Sequence, residues 1–275
     1  MHQLQDRIAV VTGAGSGIGR ATAVELARAG CHLAISDINM QGLADTARMV
    51  EQTGRRVSTH EVNVADKAAM QGFAEAVIDD HGAADVLVNN AGVALSQSVV
   101  NESLEDLEWV FSINFWGVVY GCHYFLPHLR QRPEAHVVNI SSLFGLIGVP
   151  TQSAYCATKF AVRGYTESLR GELLLEKSSV GITCVHPGGI DTHIAENSRH
   201  TDGLKGMSHA AMAQSFKKAA ITSPESAAAQ IVKAVRQNKP RLVIGRDAKT
   251  MEIAQRTSPT GYMKMLMAYL DKVTR

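Results

Sequence analysis

The chain has 275 residues, 45% of them hydrophobic, with 27 Lys and Arg against 26 Asp and Glu and a formal net charge of +1. That is enough apolar material for a sizeable core in one α/β domain spanning 1–275. The even charge balance, with no Lys/Arg cluster, argues against nucleic acid as the main partner and points to a small-molecule substrate.

Met1 to Arg7 is polar and leads straight into a strand, so no signal or transit segment is expected there. The late apolar run Tyr262 to Leu270 is broken by Lys264 and falls far short of the ~20 residues of a membrane span. A cytoplasmic protein with no membrane partner is the expectation. Cys31, Cys122, Cys156 and Cys184 have no metal-type spacing and read as free buried thiols.

Ile8-Ala9-Val10-Val11 ends at Thr12 and meets Gly13-Ala14-Gly15-Ser16-Gly17-Ile18-Gly19, after which Arg20 to Ala29 carries a helical pattern. In such a strand, glycine turn and helix, the backbone can approach a pyrophosphate, whose charge is favoured by free amides and the positive end of the helix dipole. Gly13, Ser16, Gly17, Ile18 and Gly19 are therefore candidate cofactor-binding residues, although Gly-x-x-x-Gly-x-Gly differs from the generic dinucleotide spacing. The next strand, Cys31 to Ser36, ends at Asp37, where a dinucleotide fold places the acid that takes the adenosine ribose hydroxyls. A carboxylate there repels a 2′-phosphate, so NAD is expected over NADP, with Arg20 the one nearby cation that weakens the argument. The alternative is a turn or capping role for Asp37 ahead of Asn39.

Helix at Gly42 to Thr53, strand at Arg56 to Val62 and helix at Asp66 to Asp80 continue the alternation of a parallel sheet. Asn63-Val64 then falls at a strand's carboxyl end, either offering a side-chain amide and a backbone N–H to adenine or forming a simple turn. Val86-Leu87-Val88 is the fourth strand. Asn89-Asn90-Ala91-Gly92 follows it, with asparagine able to brace backbones and Ala91 and Gly92 leaving space for a flat ligand.

Ser103 caps a helical run to Ser112, and Asn114 begins a long apolar helix reaching Leu129. An asparagine among Ile113, Phe115 and Trp116 is expected both to bond a neighbouring backbone and to hold a water that relays protons from Lys159. Val137-Val138-Asn139-Ile140 reads as a buried strand that presents Ser142 at its carboxyl end. The apolar loop Leu143 to Pro150 either walls a hydrophobic pocket or packs under the next helix.

That helix, Ser153 to Lys177, carries Tyr155 and Lys159 four apart and thus on one face. For a tyrosine of ordinary pKa, about 10, to act as a base near pH 7 it must lose ~3 units, or ~4 kcal/mol. A cation about 4 Å away supplies ~4 kcal/mol at an effective dielectric near 20, before desolvation is subtracted. Lys159 is the candidate for that cation.

Val180 to Val185 is the sixth strand, and the following loop offers Pro187, Gly188, Ile190 and Thr192 to a carboxamide. The segment from His193 to Ile221 lacks a firm period, so residues 190–221 form an expected substrate lid. The spacings of His193, His200 and His209 do not share a helical face, so no metal is expected. Pro224 to Gln237 is a helix and Arg241 to Ile244 the seventh strand. The tail at 246–275 packs against the body or a second subunit.

Thr12 to Gly19, Asp37, Asn89 to Gly92, Asn114, Ser142, Tyr155, Lys159 and Pro187 to Thr192 together resemble the short-chain dehydrogenase/reductase family over residues 6 to 245. The resemblance implies one doubly wound Rossmann-type domain with a seven-stranded parallel sheet flanked by helices, and a nicotinamide cofactor. It implies a tetrad in which Tyr155 is the acid/base, Ser142 polarises the substrate oxygen, Lys159 binds the nicotinamide ribose and lowers the tyrosine pKa, and Asn114 holds the relay water. Homodimers or homotetramers through the helices carrying Asn114 and Tyr155 are implied as well. Asn63 departs from the aspartate the family often has there, while Cys156 and Thr158 fill variable positions. The expected reaction is hydride transfer between NAD(H) and a secondary alcohol or ketone, with a hydrophobic substrate expected from the loop after Ser142 but not supported by the polar lid residues His193, Glu196, Asn197 and Arg199. A non-catalytic redox sensor or scaffold would be expected to lose Tyr155 or Lys159, and a carbon–carbon double-bond reductase to space them differently.

Overall fold

A computed structural model of the chain describes residues 1, 3–192, 194, 198–200 and 222–273. Its strands are β1 (Ile8–Thr12), β2 (His32–Asp37), β3 (Val57–Glu61), β4 (Val86–Asn89), β5 (Leu95–Ser96), β6 (Ala135–Ile140), β7 (Val180–Pro187), β8 (Arg199–His200) and β9 (Arg241–Ile244). The helices are α1 (Gly17–Arg28), α2 (Met40–Glu51), α3 (Lys67–His81), α4 (Leu104–Phe111), α5 (Gly117–Leu129), α6 (Ser153–Leu175), α7 (Pro224–Arg236), α8 (Arg246–Thr257) and α9 (Tyr262–Val273).

Seven strands form one parallel sheet in the order β3-β2-β1-β4-β6-β7-β9. Both faces are covered, so the central strands are apolar throughout rather than alternating. In β1, Ala9 and Val11 enter the core built with Leu26 of α1, Leu43 of α2 and Ile231 of α7, while Val10 enters the opposite core with Phe73 of α3, Phe125 of α5 and Leu169 of α6. The period of two thus divides one hydrophobic run between two layers. The strand order reverses between β1 and β4, and a doubly wound sheet opens its ligand crevice at the carboxyl ends of such a pair. Thr12-Gly13 and Asn89-Asn90 stand there.

Two features differ from the sequence expectation, and a third falls on one side of an alternative that the sequence leaves open. The two predicted helices flanking Asn114 are one rod, in which α4 passes into α5 through a π-helical turn at Ser112–Trp116, where the Gly117 N–H reaches back to the Ser112 carbonyl. A short parallel pair, β5 with β8, lies outside the main sheet; two residues per strand leave too little pattern to read. The tail contains helices α8 and α9, and Tyr262 packs with Met251 against Leu143, Leu146 and Ile147, so it docks on the body of the chain.

Among the described residues no helix is long and apolar enough to cross a membrane. The predicted lid at 190–221 is described only at 190–192, 194 and 198–200, so the expectations for His193, Glu196, Asn197 and His209 lie outside the described residues.

Candidate active site

The glycine turn is fixed from two sides. Gly13 has φ +64°, and a Cβ there would stand 2.7 Å from Ala91 Cα; one on Gly19 would lie 2.1 Å from the Gly13 carbonyl. Neither position tolerates a side chain, which brings α1 tight against the end of β1. Asn90 donates its amide to the carbonyls of Thr12 and Gly13 at 2.9 and 3.0 Å, while the Thr12 hydroxyl accepts from the Asn90 and Ala91 N–H groups at 3.0 and 3.1 Å.

Asn39, Asp66, Ser103 and Ser223 cap α2, α3, α4 and α7 with side-chain acceptors. Ser16 makes no such bond at α1, and the first turn of α1, with Gly17, Ile18 and Gly19, holds no acidic residue. The amides at this helix start are left to an anion from outside the chain, and the residues present therefore fit a dinucleotide's pyrophosphate.

Asp37 accepts from the Gly15 N–H at 2.8 Å and from the Asn39 N–H at 2.9 Å, so it both buttresses the glycine turn and serves the turn ahead of Asn39. The Arg20 guanidinium donates to the carbonyls of Gly15 and Gly42 and to the Thr46 hydroxyl. Asn63 is exposed and accepts from the Ala65 N–H at 3.1 Å, the turn reading of that pair, while Val64 is buried against Gly117.

Gly92 brings two tetrad members together. A Cβ on it would lie 3.1 Å from Asn114 Oδ1 and 3.5 Å from Lys159 Nζ. Asn114, wholly buried, accepts from the Val93 N–H at 2.8 Å and donates to the Val93 carbonyl at 3.0 Å and to the Thr158 hydroxyl at 3.3 Å. Both N–H groups of its side-chain amide are thus bonded within the protein.

Ser142 leaves β6 and caps a short 3₁₀ turn, its hydroxyl accepting from the Phe144 N–H at 3.1 Å and standing near enough to the Tyr155 phenol to pull its pKa down. The Phe144 ring meets the Tyr155 ring edge-on, with centroids 6.0 Å apart. Lys159 Nζ donates to the Ile140 carbonyl at 3.1 Å and stands 5.6 Å from the Tyr155 ring centroid.

Burial dominates the electrostatics of this pair. Burial pushes the Tyr155 phenol up to about 12, against the downward pull of the Ser142 hydrogen bond, and burial lowers the Lys159 ammonium to about 8. Tyr155 is 9% exposed and Lys159 4%, so desolvation of the charged form is the largest cause of each shift. Within the chain's own surroundings Tyr155 is a protonated donor.

Several positioning groups escaped the sequence reading. The Ser141 hydroxyl donates to the Lys159 carbonyl at 2.8 Å, and Thr158 donates to the Tyr155 carbonyl at 2.8 Å. His186 Nδ1 donates to the Ser142 carbonyl at 3.0 Å, with burial holding the imidazole neutral at a pKa of about 4. Beyond Pro187, the Gly188 N–H donates to the Ile244 carbonyl and the Gly189 N–H to Asp247, each at 2.8 Å; Ile190 bridges to Thr222, and the Thr192 methyl stands over Gly17. Ser141, Thr158 and His186 adjoin motif residues and were findable from that position; Asp247 carried no local signal.

The family model described as short chain dehydrogenase matches residues 7–203. SadH of Mycobacterium tuberculosis, provisionally named an oxidoreductase, is 42% identical over 272 residues, covering 99% of this chain and 98% of its own. A short-chain dehydrogenase/reductase from Burkholderia phymatum solved with NAD superposes with a TM-score of 0.87 at 26% identity, over 94% of this chain and 95% of that one. Levodione reductase gives a TM-score of 0.77 at 28% identity, over 89% and 98%.

Proposed function

Because the chain belongs to the short-chain dehydrogenase/reductase family of oxidoreductases, we propose that it transfers a hydride between NAD(H) and a secondary alcohol or ketone with an apolar body. The observation that carries the reading is the buried Tyr155 phenol, with Ser142 beside it and the Lys159 ammonium flanking it, on the sheet whose glycine turn leaves a helix start uncapped.

A nicotinamide dinucleotide supplies the hydride donor or acceptor and, when oxidised, a positive ring that favours the phenolate. The residues do the rest. Ser142 holds the substrate oxygen by hydrogen bond. In reduction, the carbonyl carbon receives the hydride while Tyr155 gives its proton to the developing alkoxide, a step that suits a phenol held up at about 12. In oxidation the hydroxyl proton passes to Tyr155 as the hydride leaves carbon. Lys159, anchored on Ile140, keeps further N–H donors for the ribose hydroxyls. Since the Asn114 side chain is spent on Val93 and Thr158, its part in a proton relay falls to its main-chain carbonyl.

Asp37 supports NAD over NADP, with Arg20 committed elsewhere. Phe144 beside Tyr155 supports an apolar substrate. Exposed Trp116 and Phe160, near Asn114 and Lys159 in sequence, support a homo-oligomer formed through those helices.

A panel of secondary alcohols and ketones followed by NADH fluorescence tests the proposal. Tyr155→Phe is expected to lower kcat by about 10³-fold on any substrate found, with NADH affinity kept; full turnover by that variant would refute the role of Tyr155.

A further inference from the structure

Helices α8 and α9 lie beyond the residues matched by the family model, yet each holds a loop of the site. We propose that this C-terminal helix pair is a working part of the active site, with Asp247 positioning the cofactor loop at Gly188-Gly189 and Tyr262 positioning the substrate loop at Gly148. The kinetic consequences rest on the hydride-transfer reading; the positioning itself does not.

Asp247 stands in the first turn of α8, just after Gly245, whose φ of +101° turns the chain out of β9. Its Oδ2 accepts from the Gly189 N–H at 2.8 Å, and a Cβ on Gly188 would lie 2.3 Å from that oxygen, so carboxylate and loop are packed with no room between them. Oδ1 is buried with no hydrogen-bond partner, a cost that an ordinary helix start does not carry. With the Gly188 N–H bonded to Ile244, two successive amides of the loop after β7 are held by residues 244–247.

Tyr262 opens α9. Its hydroxyl accepts from the Gly148 N–H at 3.0 Å, across 114 residues of sequence. The same ring packs with Met251, Phe144 and Val149 on buried Leu143, Leu146, Ile147 and Ala248. Phe144 in turn touches Tyr155 edge-on, so the second tail helix is linked through one apolar cluster to the reacting phenol. A tail that merely covered the body would need neither hydrogen bond, because burial is non-directional.

The two contacts predict separable effects. Tyr262→Phe keeps the ring and removes only the acceptor; the Gly148 amide then exchanges with solvent at least about fivefold faster, the factor expected for one hydrogen bond, while Gly189 keeps its protection. KM for a substrate of the wild type rises about fivefold and NADH affinity stays within about twofold. Asp247→Ala does the reverse, deprotecting Gly189 and weakening NADH about fivefold, and Asp247→Asn, whose amide oxygen still accepts, restores both. Unchanged protection at Gly148 and Gly189, or equal loss at both in either variant, would overturn the proposal. If the alcohol and ketone panel gave no turnover with the wild type, the exchange measurement would still decide the positioning roles.

Discussion

The glycine turn and the loop after Ser142 both follow parallel strands at the same end of the sheet, and they are held in opposite ways. The turn is held by hydrogen bonds to motif residues: Asn90 and Thr12 brace it from one side, Asp37 from the other, and glycine Cα atoms make the contacts. The loop after Ser142 is held mainly by apolar packing and by a tyrosine from the last helix. A site for a fixed dinucleotide can be specified by exact backbone bonds, whereas a wall against a variable apolar substrate is built from side chains that repack.

Acid breaks this comparison most strongly, because the substrate side of the sheet contains two fully buried imidazoles. Burial lowers His136 in β6 to about 3 and His186 in β7 to about 4. Each folded pKa lies below the unfolded value of about 6.5, so the unfolded chain binds more protons under acid. The stability from keeping both rings neutral is complete above pH 6.5 and is lost as pH falls through 6.5 towards 4 and then 3. Urea unfolding is expected to lose up to about 3 kcal/mol per pH unit in that window, the slope for two protons, and His136→Asn or His186→Asn should each flatten it. A slope unchanged in both variants would locate the acid sensitivity elsewhere.

The cofactor side breaks by volume. Gly19→Ala drives a methyl into the Gly13 carbonyl, and NADH affinity should drop about a hundredfold, in keeping with ~3 kcal/mol of overpacking, while the substrate loop and its Gly148 amide stay protected. Equal NADH binding by the variant would show that α1 is free to move away from β1.

The smallest effect sharpens the cofactor side itself. Asp37→Ala removes the carboxylate but leaves Arg20 tied to Gly15 and Gly42, so the proposed NADH preference should narrow by about tenfold without reversing. Parallel NADH and NADPH titrations measure it. A clear NADPH preference in the variant would mean that Arg20 abandons its carbonyls.

The same contrast governs what could be read in advance. Buried strands with no alternation and helices with glycine or capping boundaries announce themselves over a few residues, and so does the juxtaposition of Gly13 to Gly19 with Asn90 and of Tyr155 with Lys159, because each group sits at short spacing or at a strand end. The sign of the Tyr155 shift was not legible, since it depends on how deeply two neighbours four apart are buried, which no spacing records. Asp247 and Tyr262 were not legible either. Their partners lie 58 and 114 residues away, and nothing local marks an aspartate or tyrosine that will accept from a distant glycine amide.

The π turn at Ser112–Trp116 sets a phase relation along the rod from Leu104 to Leu129. Each residue of an α-helix turns the chain by about 100°, and a π turn absorbs one residue more than an α turn. Deleting one residue there would let the rod continue as plain α-helix with its two ends near their present phase, so the change would fall on the turn itself, which carries Asn114. The cap at Ser103 and the Asp106 carboxylate, which binds Gln97 and Arg199, would keep their places, and Asn114 would lose Val93. An irregularity of one residue thus keeps Asn114 in register with Val93, and a chain length that looks freely adjustable in a helix is fixed here to the residue.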